Sequence, residues 1–215
     1  MHRVLFEKTG TAIWMSHLDL MRLMQRAFRR AGVLLHHSQG YTPHAYVSML
    51  LPLSVGMESH CEIMEFELDT QEPITPETLN RVLPEGVRVL AVYDSARKGK
   101  ELVWMRVRLT LEYDAGVPEQ AAQRIAALLS GQTLIVEKRT KRGMEETDVR
   151  PLLHTCEITE KENALVLETV VSAQNPPLNP MLLAAAVERY LPECKPDFAK
   201  CCRLEMLDAA MAEFR

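Results

Sequence analysis

Residues Leu102–Tyr113 read LVWMRVRLTLEY. Val103, Met105, Val107, Leu109 and Leu111 fall on one side of an extended chain, and Trp104, Arg106, Arg108 and Thr110 fall on the other. Such alternation predicts an antiparallel strand with one face under helices and the other toward water. The covering helices should lie nearby. Pro118–Ser130 sets Ala121, Ala122, Ile125, Leu128 and Leu129 along one stripe and stops at Gly131. Thr133–Thr140 and Ala164–Ser172 follow as strands. Asn179-Pro180, a cap with proline at the first helical position, opens a helix to Tyr190, and Ala199–Leu207 closes the set.

The same order precedes it. Arg3–Lys8 reads as a strand. Ser16 caps a helix over His17–Ala31, with Asp19 three residues on, as in a capping box, and Gly32 as the stop. Val33–His37 and Cys61–Asp69 are strands, with Ala45–Leu53 extended between them. Thr75-Pro76 starts a short helix to about Val82, and Val87–Tyr93 is the last strand. Both halves therefore read β-α-β-β-α-β. The expected class is α+β, two tandem ferredoxin-like domains, each an antiparallel sheet with its helices on one face. The first spans 1–96 and carries a basic helix and a His/Tyr loop; the second spans 101–215 and carries a basic hairpin insert. Long inserts are expected at Ser38–His60 and Lys141–Asn163, with a linker at Asp94–Lys100.

Composition sets the limits. A chain of 215 residues, 47% hydrophobic and 25% charged, can bury an ordinary core. The net charge of -4 argues against a polyanion binder over its whole surface. The charge is unevenly spread, however. Before residue 51, Arg3, Lys8, Arg22, Arg26, Arg29 and Arg30 stand against only Glu7 and Asp19, whereas the next fifty residues are acidic on balance. The five cysteines are odd in number and irregularly spaced, and neither a signal peptide nor a membrane-spanning apolar run is evident. A reduced, cytoplasmic protein with no membrane association is the simplest expectation.

The candidate chemistry follows from that asymmetry. Arg22, Arg26 and Arg29 recur at helical spacing with Arg30 beside them, and guanidinium forks suit phosphate oxygens. A solvated helix face is the ordinary fate of such a stripe. The loop behind it carries His36, His37, Ser38, Tyr41 and His44. Tyr41 can stack on an unpaired base, and the imidazoles can donate to phosphates or move protons. Lys138, Arg139, Lys141 and Arg142 form a second basic cluster, read either as a finger on phosphate or as edge protection. Trp104, Arg106 and Arg108 offer a third surface, better read as a packed sheet face. The sequence has no phosphate-cradling glycine loop, dinucleotide fingerprint, His-Glu-x-x-His or nucleophile elbow. Cys194, Cys201 and Cys202 lack the spacing of a zinc site. No catalytic residue, metal or cofactor is therefore assigned.

The stretches Arg3–Phe6, Lys8-Thr9-Gly10, Ser16-His17-Leu18-Asp19, Arg29-Arg30-Ala31-Gly32 and Ser38-Gln39-Gly40-Tyr41-Thr42-Pro43-His44, with Pro52-Leu53 through Gly56, resemble the radical-SAM-linked protein family. So does Thr140-Lys141-Arg142-Gly143 followed by Asp148-Val149-Arg150-Pro151. That family is a bacterial domain of unknown function, encoded alone or fused behind a radical SAM enzyme. The resemblance implies that a partner performs the radical chemistry. The expected function is a non-catalytic RNA-binding module that presents ribosomal or transfer RNA to a radical SAM modifying enzyme. Two rivals stand beside it. One is a metal-independent RNA endonuclease, which the tandem architecture resembles in the enzymes that trim CRISPR repeat RNA. The other is a protein-interaction subunit of the radical SAM enzyme without RNA contact.

Overall fold

The computed structural model describes residues 1–69, 73–140 and 143–215, with backbone alone at 139 and 140. The chain divides into two units, Met1–Glu101 with Arg215, and Leu102–Phe214. It is a mixed α/β protein of antiparallel strands, with four α-helices among the described residues.

The first unit runs β1 (His2–Lys8), α1 (His17–Arg30), β2 (Val47–Met49), β3 (Glu58–Phe66), α2 (Pro76–Asn80) and β4 (Val87–Asp94). Strand β1 lies between β4 and β3, and β2 pairs with β3, all antiparallel. Helix α1 starts where its sequence directs. Ser16 Oγ accepts from the Asp19 amide at 3.2 Å and donates to the Asp19 carboxylate at 2.7 Å. It ends at Gly32, whose φ of +77° favours glycine. There the Val33 amide donates to the Phe28 carbonyl and the Gly32 amide to that of Arg29, the paired bonds of a Schellman closure. Leu20, Met24, Ala27 and Phe28 are buried, with the Phe28 ring 4.9 Å from that of Phe66.

The strand expected over Val33–His37 is reduced to two isolated bridges, Leu35 to Leu68 and His37 to Ala45. Leu35 is buried while its neighbour Leu34 is exposed, so one side chain anchors the segment. The edge of the sheet is instead β2, within the stretch expected only to be extended.

The second unit runs β5 (Trp104–Glu112), α3 (Ala121–Leu129), β6 (Ile135–Thr140), β7 (Gly143–Asp148), β8 (Leu153–Lys161), β9 (Ala164–Ser172), α4 (Met181–Tyr190) and β10 (Phe198–Leu207). Its sheet order is β10-β5-β9-β8, antiparallel throughout. Met105, Val107, Leu109 and Leu111 are buried, as the alternation of β5 demands. Segment Thr133–Thr140, expected in this sheet, forms a separate hairpin with β7. The edge strand is β8, which lies in the expected insert. A two-residue turn at Glu162-Asn163 joins β8 to β9, and that short closure makes β8 the local partner. Among the described residues, no helix is long and apolar enough to cross a membrane.

Candidate nucleic-acid interface

Two of the six early basic residues never reach solvent. Arg3 is fully buried: Nε and Nη2 donate to Glu65 Oε1 at 3.2 and 2.7 Å, and Nη1 donates to Ser95 Oγ at 2.8 Å. Lys8 Nζ donates to the carbonyls of Ile13 and Met15 at 3.0 and 3.1 Å, beneath the 3-10 turn Gly10–Trp14. Both hold the fold. The surface positive charge of this region therefore comes from α1.

Arg22, Arg26, Arg29 and Arg30 are all exposed, on the side of α1 opposite its buried stripe. They differ in what holds them. Arg22 Nη1 lies 3.4 Å from Asp19. Arg30 Nη2 donates to the Val82 carbonyl at 2.7 Å, which fixes its guanidinium beside the end of α2. Arg26 and Arg29 have no partner among the described residues.

On the exposed face of the second unit's sheet the pattern is reversed. Arg106 donates to Glu205 at 2.8 Å, Arg108 to Glu168 at 2.6 Å, and Lys200 to Glu112 at 2.6 Å. Trp104 meets His154 edge-on at 5.3 Å. The charges on this face are paired in place.

The loop after α1 is ordered by its own backbone. The Ser38 amide donates to the His44 carbonyl at 2.9 Å, and Ser38 Oγ accepts from the His44 amide at 3.0 Å. His36 Nδ1 lies 2.5 Å from Asp69, and its ring stacks on Tyr46 at 5.3 Å. His37 Nδ1 donates to the Leu35 carbonyl at 2.8 Å, and the residue is exposed. Tyr41 is fully exposed with its ring in solvent, and His44 is exposed. Ser38 and His36 thus shape the loop, while Tyr41, His37 and His44 present groups from it.

The second basic cluster belongs to the other unit. Lys138 faces Glu145 across the β6–β7 ladder. The hairpin is tied to α4 by Arg189 Nη2 on Glu146 at 2.7 Å and by Tyr190 Oη donating to the Ile135 carbonyl at 2.8 Å. Arg139 is described by its backbone only, and Lys141 and Arg142 lie outside the described residues.

A cavity of about 740 Å³ beside α2 and β4 brings Glu7, Glu77 and Glu85 against Arg81 and Arg88, a balance that does not favour a small phosphorylated ligand. Three of the five thiols, Cys156, Cys194 and Cys201, are poor nucleophiles and ligands. Burial pushes Cys156 up to about 11 and Cys201 up to about 12, and it raises Cys194 as well. Among the described residues, no His, Cys, Asp or Glu grouping has metal-site geometry. Two large apolar side chains stand out on the surface of the first unit. Trp14 and Leu18, at the start of α1, are 66% and 64% exposed. Leu18 falls within the Ser16-His17-Leu18-Asp19 stretch and Trp14 outside any motif; a large aromatic just ahead of a helix cap, outside any apolar period, was the available signal.

No curated protein matches the sequence. A chain in the solved structure titled "Crystal Structure of a Cbf5-Nop10-Gar1 Complex" is similar, with a TM-score of 0.52 and 9% identity over 95% of this chain. The present chain spans 48% of that chain's length, and at such identity the likeness concerns the fold alone. "Crystal Structure of an Unknown Protein from Galdieria sulphuraria" aligns over 94% of this chain and 96% of that one at 12% identity, with a TM-score of 0.24 that carries no argument. The family model described as "Uncharacterized protein conserved in bacteria (DUF2344)" matches residues 2–180, from β1 to the threshold of α4. The chain therefore belongs to the DUF2344 family of uncharacterized proteins conserved in bacteria.

Proposed function

We propose that this protein is an RNA-binding accessory module built from two ferredoxin-like units, and that α1 supplies its principal RNA contact. The single observation that carries the reading is the contrast in charge pairing. Arg26 and Arg29 stand uncompensated among the described residues, while the arginines on the open sheet face each hold a carboxylate. Uncompensated guanidinium groups at helical spacing attract a chain of phosphates and release its counterions. Arg22 and Arg30 flank them, Tyr41 offers a ring to an unpaired base, and His37 and His44 border the loop. Lys138, Arg139, Lys141 and Arg142 supply a second contact from the other unit. The two units share a strand-and-helix order once β6 and β7 are set aside, and this supports the duplicated ferredoxin-like reading. The resemblance to radical-SAM-linked proteins supports a role in presenting ribosomal or transfer RNA to a radical SAM enzyme in the cytoplasm.

Filter binding of a labelled single-stranded RNA, titrated against salt, tests it. Retention is expected near 50 mM salt. The logarithm of the binding constant should fall linearly with the logarithm of salt concentration, and changing Arg22, Arg26 and Arg29 together to Ala should make that slope shallower by about 2. Absence of retention, or an unchanged slope, refutes the proposal.

One observation favours a second reading, the RNA endonuclease. Asp69 and Tyr46 together hold the His36 imidazole in one orientation, as a proton-transfer group requires. Cleavage of the same RNA in the presence of EDTA, lost in His36→Asn, establishes it; intact RNA dismisses it.

A further inference from the structure

We propose that Trp14, with Leu18 beside it on the surface, is a stacking platform for an unpaired nucleobase at the N-terminal end of the α1 arginine face. The inference rests on the α1 reading above and deepens it: the ligand is a single strand with exposed bases, not a polyphosphate recognised by charge alone. Trp14 ends the 3-10 turn Gly10–Trp14, two residues before the cap of α1. One edge of its ring lies over Gly56. The Gly56 amide donates to the Ile13 carbonyl at 2.8 Å, and Trp14 Cζ3 comes within 3.5 Å of where a Gly56 side chain would begin. That edge of the ring packs over the glycine, while two-thirds of the residue stays in water.

Leu18, in the first turn, falls one helical repeat before Arg22 on the same face as Arg22, Arg26 and Arg29. Val55, held close by the Gly56 bond, is also exposed. Single exposed apolar side chains are ordinary; Trp14 and Leu18, four residues apart at the start of the charged face, with Val55 next to the glycine under the ring, mark a contact surface. The occupant follows from the charge. Of the guanidinium groups along this face, Arg26 and Arg29 lack carboxylate partners among the described residues, so the ligand carries negative charge along its length and an aromatic or apolar face at its end. An oligonucleotide supplies both, since every base has a π-face and every linkage a phosphate. From Leu18 to Arg29 the face runs about 16 Å along the helix, room for a few nucleotides.

The chain has two tryptophans, so Trp104→Phe leaves Trp14 as the sole indole reporter. In that variant, a short oligoadenylate should quench Trp14 emission, and inorganic polyphosphate should bind without quenching. Trp14→Ala should weaken oligoadenylate binding about tenfold while leaving polyphosphate binding and the salt slope unchanged. Leu18→Ala, which keeps the ring, should weaken oligoadenylate binding less. Oligoadenylate binding with its arginine-dependent salt slope, but with no quenching and no loss in Trp14→Ala, overturns the platform and leaves the arginine reading standing. Equal quenching by polyglutamate assigns the face to an acidic protein and overturns the platform too. If neither nucleic acid nor polyphosphate binds, the arginine reading falls and takes the platform with it.

Discussion

Replacing Arg3 by Met should cost the first unit about 4 kcal/mol, and the structure shows where the loss arises. The guanidinium is fully buried, and the Glu65 side chain that receives two of its donors is only 19% exposed. A third donor reaches Ser95 Oγ, and Nη2 also reaches the Arg97 carbonyl at 2.5 Å. Methionine fills much of the volume, so the cavity contribution is small. What remains is a carboxylate in a poorly solvated place without its cation, together with an unmet carbonyl. Breaking a buried pair from one side costs about 3–5 kcal/mol. Exchanging both partners for apolar groups is close to neutral, so Arg3→Met with Glu65→Met should recover most of the loss. Urea unfolding in the Trp104→Phe background makes Trp14, and hence the first unit, the reporter. The single variant should lower the midpoint without changing the slope, and the double should return it most of the way. A single-variant loss below about 1 kcal/mol, or a double variant as unstable as the single, would show that Arg3 is not holding a buried charge pair.

Gly86→Ala should destabilise the same unit by about 3 kcal/mol, because φ at Gly86 is +85° and a Cβ there would stand 2.5 Å from the Thr9 carbonyl oxygen; a midpoint equal to wild type refutes the strain. The second unit should weaken in alkali. Burial pushes the Tyr113 hydroxyl and the Cys201 thiol up to about 12 and Cys156 up to about 11, above their ordinary values of 10.0 and 9.0. The native state then holds protons that the unfolded chain has lost, so this contribution is intact below pH about 9 and disappears as pH rises toward about 12. Urea midpoints read from Trp104 at pH about 8 and about 11 should differ, and equal midpoints contradict the assignment.

Much of the fold lies on the surface of the sequence. The Ser16 cap, the Gly32 closure and the alternation in Trp104–Glu112 each name a local geometry that no competing arrangement satisfies as well. Short apolar runs are different. Val33-Leu34-Leu35 and Leu134-Ile135-Val136 both read as strands, and what they pair with depends on the turns available nearby. The second joined β7 in a hairpin rather than the main sheet. Strand β8, reading LHTCEITEK, has mostly exposed side chains and therefore little apolar pattern to betray it. The candidate site was partly visible. Helical spacing put Arg22, Arg26 and Arg29 on one face, but a buried arginine is written with the same letter as an exposed one. The sequence alone does not distinguish Arg3, which is enclosed, from Arg26, which has no partner among the described residues, because the partners Glu65 and Ser95 are distant in the chain.

The position of β1 between β3 and β4, and of β5 between β9 and β10, bears on synthesis. In each unit the earliest strand to leave the ribosome sits inside the sheet, flanked by the two strands made last. Neither sheet can close while its final strand is still in the exit tunnel, so a nascent unit waits with one edge of its central strand unpaired and exposed to chaperones. Truncation from either end of a unit should then remove a ladder that the rest depends on. A break at the Glu101–Leu102 junction severs no strand pairing within either unit.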